Sequence, residues 1–208
     1  MTARTRRILS WSFSAVAFIG AIAQGAQTPV QRPSIAVVVV LDRSGSMAGT
    51  KLDLAKEATK AALDVLRERD SFGVLTFDYK FQWAVNVAEI QKKDEMRQAI
   101  DAILATGNTN IFPALREAYE QLEAITAENK HVILLSDGQT PAENFQALTG
   151  EMLKKKITVS TVALTAASDR VLLGNIAAWG GGRAYYVENP QGIPDIFRED
   201  TERALGRP

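Results

Sequence analysis

Three short stretches of this sequence carry oxygen-bearing side chains at spacings that could do chemistry. Asp42, Ser44 and Ser46 alternate directly after the valine-rich run Val37–Leu41. Thr109 sits in Thr106-Gly107-Asn108-Thr109-Asn110, just ahead of an amphipathic segment. Asp137 lies in Ser136-Asp137-Gly138, directly after the apolar run Val132–Leu135. No histidine or cysteine lies within any of the three stretches. Carboxylates and hydroxyls alone suit a hard cation such as Mg²⁺, Mn²⁺ or Ca²⁺. Asp42 and Asp137 together balance a divalent charge, while the hydroxyls of Ser44, Ser46 and Thr109 are neutral, weak donors. If the hydroxyls take the inner shell and the carboxylates act through bound water, the ion stays electrophilic. It then favours an anionic oxygen from outside, such as the Asp or Glu of a partner protein.

These stretches need elements to position them. Short apolar runs predict strands at Ile35–Leu41, Phe72–Phe77, Val132–Leu135, Ile157–Leu164 and Ala184–Val187. Phe81, Trp83, Val85 and Val87 alternate with Gln82, Ala84 and Asn86, the period of a half-exposed edge strand after a tight turn at Asp78-Tyr79-Lys80. Helical periodicity predicts helices over Lys51–Arg69, Lys92–Leu104, Pro113–Ala127, Glu143–Lys155 and Pro194–Ala204. Another runs from an N-cap at Ser168 to about Trp179, where Gly180-Gly181-Gly182 breaks it. Strands alternating with helices predict right-handed crossovers and an α/β fold: a Rossmann-like, doubly wound, mostly parallel sheet with one antiparallel edge strand and helices on both faces. In such sheets ligands bind beyond the carboxyl ends of the strands, where the strand order reverses. Asp42 and Asp137 both follow strands at that rim.

The residues in this order resemble a von Willebrand factor type A (VWA) domain carrying a metal-ion-dependent adhesion site (MIDAS). The family pattern is D-x-S-x-S after the first strand, a threonine in a second loop and an aspartate after the fourth core strand. Here Asp42, Ser44 and Ser46, then Thr109, then Asp137 occupy those places, and the resemblance covers about Pro33 to Ala204. D-x-S-x-S alone is a weak signal; five residues, each at the end of the right element, are a strong one. The sequence departs from many relatives in reading Gly107-Asn108-Thr109-Asn110 where they have Gly-Gly-Thr, and in placing Arg43 beside the site. Neither departure removes a ligand. The resemblance implies a Rossmann-like sheet, divalent-metal-dependent protein binding and usually no catalysis. It also implies that closing on an acidic ligand would couple Thr109 to the last helix, Pro194–Ala204.

Plainer readings stand beside these. Ser44 and Ser46 are also good turn and helix-capping residues, and Asp42 a good cap. Asp78 reads as a turn residue rather than a sixth ligand, and Asn110 as a support for its own loop. Gly45-Ser46-Met47-Ala48-Gly49-Thr50-Lys51 fails as a phosphate loop, since only three residues separate its glycines and Thr50 precedes the lysine. A haloacid-dehalogenase-like phosphatase would need a second aspartate where Ser44 stands. His131, the single histidine, reads as a solvated strand end roughly 16 Å from the site, too far for a general base. Trp83 and Trp179 read as packing residues, and Lys154-Lys155-Lys156 as a favourable helix end. A metal-dependent hydrolase at the same rim and a structural envelope domain with a non-functional site are the alternatives to a protein-binding module.

Composition bounds the rest. The 208 residues hold 24 Lys+Arg against 24 Asp+Glu, so no bulk field attracts nucleic acid. The absence of cysteine excludes disulfides and thiolate metal sites. Arg4, Arg6 and Arg7 precede an uncharged apolar stretch of about 16 residues, Ile8–Ala23, which ends in small residues. That predicts a signal peptide over 1–23, or an uncleaved N-terminal anchor, and hence an exported, periplasmic or extracellular protein. Residues 24–33 then form a linker and 34–205 the VWA-like domain.

Overall fold

The computed structural model of the chain describes residues 34–166 and 168–206. The leader and linker predicted over 1–33 lie outside the described residues. The elements run β1 (Ile35–Asp42), α1 (Thr50–Val65), β2 (Ser71–Phe77), β3 (Phe81–Glu89), α2 (Lys93–Asp101), α3 (Ile111–Ala124), β4 (Asn129–Ser136), α4 (Phe145–Lys154), β5 (Ile157–Leu164), α5 (Arg170–Trp179), β6 (Gly181–Val187) and α6 (Ile193–Ala204). They form a single six-stranded sheet in the order β3-β2-β1-β4-β5-β6. Every pairing is parallel except β2 with β3. The order reverses at β1, whose neighbours are β2 and β4, so the crevice beyond the ends of β1 and β4 is the switch point of the sheet.

β1 explains why the sheet has two covered faces. All of its residues are buried. Ile35, Val37, Val39 and Leu41 pack on a core with Leu52, Ala55 and Ala62 of α1, Ile100 of α2 and Phe197 of α6. Ala36, Val38 and Val40 pack on the opposite core with Leu115 and Ala118 of α3, Phe145 and Met152 of α4, and Ile176 of α5. A strand buried on both sides reads as an unbroken apolar run, and each such valine contributes roughly 1.5–3 kcal/mol of burial free energy. Among the described residues no helix is long and apolar enough to cross a membrane.

Several boundaries differ from the sequence expectation for local reasons. α1 stops at Val65, not Arg69, because the buried Asp70 carboxylate accepts hydrogen bonds from the Arg67 and Ile35 amides and turns the chain into β2. The cap of α5 is Asp169, whose carboxylate accepts the Leu172 amide at 2.9 Å; Ser168 is buried against the carbonyl oxygens of Leu164 and Ser136 instead. β6 begins at Gly181, three residues earlier than expected, since Gly182 lets its backbone lie against Val159. The regular alternation expected of β3 fails too. Two register shifts against β2 turn Val85 toward the core under α1, while Trp83 and Val87 face the other. His131 is also corrected: it is buried, not solvated, because α6 covers the start of β4 and brings Asp200 to within 2.8 Å of its Nε2.

Candidate metal centre

The first loop is shaped by Asp42 itself. Its Oδ1 accepts the Ser44 amide at 2.8 Å, which bends the chain at the end of β1. The Ser44 carbonyl then accepts the Met47 amide at 2.9 Å, closing a short 3₁₀ turn over Gly45–Met47 that the buried Met47 pins to the core. Asp42 Oδ2 accepts the Ser136 hydroxyl at 2.6 Å, so the ends of β1 and β4 are joined through one fully buried carboxylate.

The third loop meets the first directly. Ser44 Oγ and Ser46 Oγ lie 3.1 Å apart, and Ser46 Oγ donates to Asp137 Oδ1 at 2.7 Å. The second oxygen of Asp137 contacts the Lys51 ammonium, which reaches back from the first turn of α1. The second loop closes the ring. Its Gly107 carbonyl accepts the Gly45 amide at 2.9 Å, and the Thr106 amide donates to the Arg43 carbonyl at 2.7 Å. Thr109 is pressed against the residue after Asp137: a Cβ built on Gly138 would lie 2.8 Å from Thr109 Oγ1. The structure therefore brings Asp42, Ser44, Ser46, Thr109 and Asp137 to one place from three separate loops.

The neighbouring polar groups serve the scaffold. Asp78 is buried, accepts the Lys80 amide at 2.8 Å through Oδ1 and pairs with Arg43 at 2.9 Å through Oδ2. It is the turn residue that the sequence suggests, and it holds the Arg43 charge. Its carbonyl accepts the Asn110 amide at 2.7 Å, fastening the second loop to the β2–β3 turn. Gly107, at φ 72°, leaves room for this contact, as a Cβ there would lie 2.9 Å from the Asp78 Cβ.

Burial pushes the Asp42 carboxyl above its ordinary pKa; the Ser136 and Ser44 hydrogen bonds oppose the shift, and the charge of Asp137 adds to it. Two largely dehydrated carboxylates thus face one another at a site where Lys51 supplies positive charge. That arrangement, with hydroxyls as the only other donors, fits a small hard divalent cation. Among the described residues no three or more His, Cys, Asp or Glu are grouped so that they alone could hold a metal ion. Sequence reasoning missed Lys51. A signal was present, because a lysine in the first turn of a helix opposes the helix dipole and needs another reason to be held there. Ser136 was visible only as part of an oxygen-rich loop, and its bond to Asp42 depends on strand register.

The family model described as "von Willebrand factor type A domain" matches residues 36–199. An uncharacterised protein of Synechocystis is 28% identical over 187 residues, covering 88% of this chain and 44% of its own. A von Willebrand factor type A structure from Catenulispora acidiphila superposes with TM-score 0.73 at 25% identity, covering 84% of this chain and 43% of that one. Proximal thread matrix protein 1 of the mussel byssus, whose structure is described as having a zinc-occupied MIDAS motif, shares the fold with TM-score 0.71 at 21% identity, over 84% of this chain and 46% of that one. The chain thus spans less than half the length of these relatives.

Proposed function

The chain belongs to the von Willebrand factor type A family, and from that premise we propose that residues 34–205 form a divalent-metal-dependent protein-binding module. Asp42, Ser44, Ser46, Thr109 and Asp137 are the residues that would hold the ion. Mg²⁺ is the proposed resident, with Mn²⁺ or Ca²⁺ as substitutes. A bound ion would supply a Lewis-acidic docking point for the Asp or Glu of a partner. The chain's own residues set that up: two buried carboxylates concentrate negative charge, and the serine and threonine hydroxyls present weak, neutral donors. The observation that carries the reading is the direct Ser46–Asp137 bond with Thr109 packed beside it, which joins three loops into one set of oxygens.

The surrounding surface supports protein as the ligand. Tyr79, Phe81, Leu104 and Val171 are 59%, 40%, 73% and 75% exposed, and all stand on segments at the same rim. Exposed apolar and aromatic side chains around a polar centre are the makings of an interface. Catalysis is not part of the reading: His131 lies at the opposite ends of the strands, bonded to Asp200, and cannot serve the rim as a base. From the Ile8–Ala23 stretch we place the protein outside the cytoplasm, with residues 1–23 as a signal peptide or anchor and 24–33 as a linker.

Two measurements test the proposal. Calorimetric titration with MgCl₂ should show one site that Asp137→Ala abolishes. Immobilised protein should retain acidic peptides in Mg²⁺ and release them in EDTA; retention indifferent to both EDTA and Asp137→Ala would refute it.

A further inference from the structure

At the end of the sheet opposite the metal centre, where β4, β5 and β6 begin, a cavity of about 340 Å³ opens against α6. That is the small end of the range for ligand pockets. Its wall carries four cationic side chains from four places in the chain: Lys130 of β4, Lys156 before β5, Arg183 of β6 and Arg203 of α6. The sole acid in the wall is Asp200.

Asp200 offsets only one of these four charges, through its ion pair with Arg203. Its Oδ2 takes His131 Nε2 at 2.8 Å, and its Oδ1 takes the Tyr185 hydroxyl at 2.9 Å and the Ser160 hydroxyl at 3.1 Å. Arg203 donates to the Tyr185 oxygen at 2.8 Å and stands 3.9 Å from Asp200. Lys130 Nζ donates to a backbone carbonyl, that of Glu123, at 3.3 Å. Among the described residues the side chains of Lys156 and Arg183 have no hydrogen-bond or ion-pair partner. The cavity thus concentrates positive charge over a floor that includes the Thr158 and Ser160 hydroxyls.

Lys156 adds a second, independent observation. It follows α4 at φ 60°, in the left-handed region where glycine or asparagine normally ends a helix. A lysine is strained there, and strained backbone is a mark of positions kept for another purpose. Its conformation sets a cation at the mouth of the cavity.

We propose that this cavity binds a phosphate-bearing anion. Two guanidinium forks and two ammonium groups match the multiple charge and tetrahedral oxygens of phosphate better than a lone carboxylate. The phosphate is either a free species or the head group of an anionic lipid.

The test uses the whole chain in EDTA, which silences the metal centre. Inorganic phosphate and pyrophosphate are titrated calorimetrically, and vesicles of phosphatidylglycerol in phosphatidylcholine are tested by co-sedimentation. The variants are Lys156→Ala/Arg183→Ala, both exposed residues, and Lys92→Ala as a remote control. Pyrophosphate binding that weakens at least ten-fold in the double variant and is unchanged in the control supports a free anion. Vesicle binding alone, with the same dependence, supports a lipid head group. No binding in either arm, or an equal loss in the control, overturns the proposal.

Discussion

Lys51 and Ser46 hold the two oxygens of Asp137 from opposite sides: the ammonium contacts Oδ2, and the hydroxyl donates to Oδ1 at 2.7 Å. The lysine therefore satisfies with its own charge the carboxylate on which a divalent ion would depend. An ion bound at the proposed site would have to displace or share it, so Lys51 would act as an internal competitor. Lys51→Met removes that competition. The expected result is Mg²⁺ binding about 5–30-fold tighter by calorimetry, a gain of about 1–2 kcal/mol for a partly exposed pair. Unchanged or weaker binding would assign Lys51 a supporting role instead.

Gly138, next to Asp137, lies directly against the Thr109 side chain. A methyl group there would stand 2.8 Å from Thr109 Oγ1, and the threonine side chain is what would have to move. Gly138→Ala should therefore weaken Mg²⁺ binding about ten-fold, while the thermal midpoint shifts only a few degrees. Thr109→Ala should match it in metal affinity. If Gly138→Ala binds Mg²⁺ like the wild type, Thr109 does not belong to the ion site.

Substitutions of the exposed rim residues would separate the proposed partner binding from the proposed ion binding. Tyr79 and Leu104 are exposed on segments flanking the second loop, and neither is among the oxygens of the site. Replacing both with serine should leave Mg²⁺ affinity within about two-fold. Retention of acidic protein ligands should fall about ten-fold or more, as for truncated anchors at an interface. Equal losses in both measurements would mean the substitutions had disturbed the loop rather than a docking surface.

The parallel sheet was legible because strands buried on both faces announce themselves as apolar runs, as β1 does from Ile35 to Leu41. Asp42, Ser44, Ser46 and Asp137 were legible because they follow such runs, and Thr109 because it stands in an oxygen-rich loop directly ahead of a helix; the sheet brings the three loops to one rim. What escaped depends on contacts between distant segments. The burial of His131 requires α6 to lie across the start of β4, and periodicity says nothing of which helix covers a strand end. The turned faces of β3 require two bulges that the even spacing of Trp83, Val85 and Val87 conceals. Lys51 reaches Asp137 by side-chain length alone, 86 positions away in the sequence.

Among the described glycines, Gly182 leaves the least room for a side chain. A methyl group there would fall 2.2 Å from the Val159 carbonyl oxygen, and both atoms belong to paired strands. Neither can yield without separating β6 from β5. Gly182→Ala should cost at least about 3 kcal/mol by urea denaturation, at the high end for single substitutions. Gly192→Ala, where no heavy atom lies within 4 Å of the added Cβ, should cost under about 1 kcal/mol.

The buried network at Asp200 predicts opposite behaviour at the two ends of the pH scale. Burial alone would raise the Asp200 pKa, but the bonds from His131, Tyr185 and Ser160 outweigh it and hold the carboxyl below its ordinary range. The unfolded chain then binds the proton more readily, so the stabilisation is complete above about pH 3.9 and is lost as pH falls through the lower, folded value. Tyr185 is shifted the other way, to about 12, by burial first and then by the Asp200 charge. Its contribution is complete below about pH 10 and drains away as pH rises toward the folded value. Asp200→Asn should therefore flatten the acid limb of the stability curve and cost about 2–4 kcal/mol at pH 7, because His131 loses its buried partner. Tyr185→Phe should flatten the alkaline limb between pH 10 and 12, and should remove one late-ionising phenol from the absorbance titration at high pH. An Asp200→Asn variant with an unaltered acid limb would show that the carboxylate is not held ionised by this network.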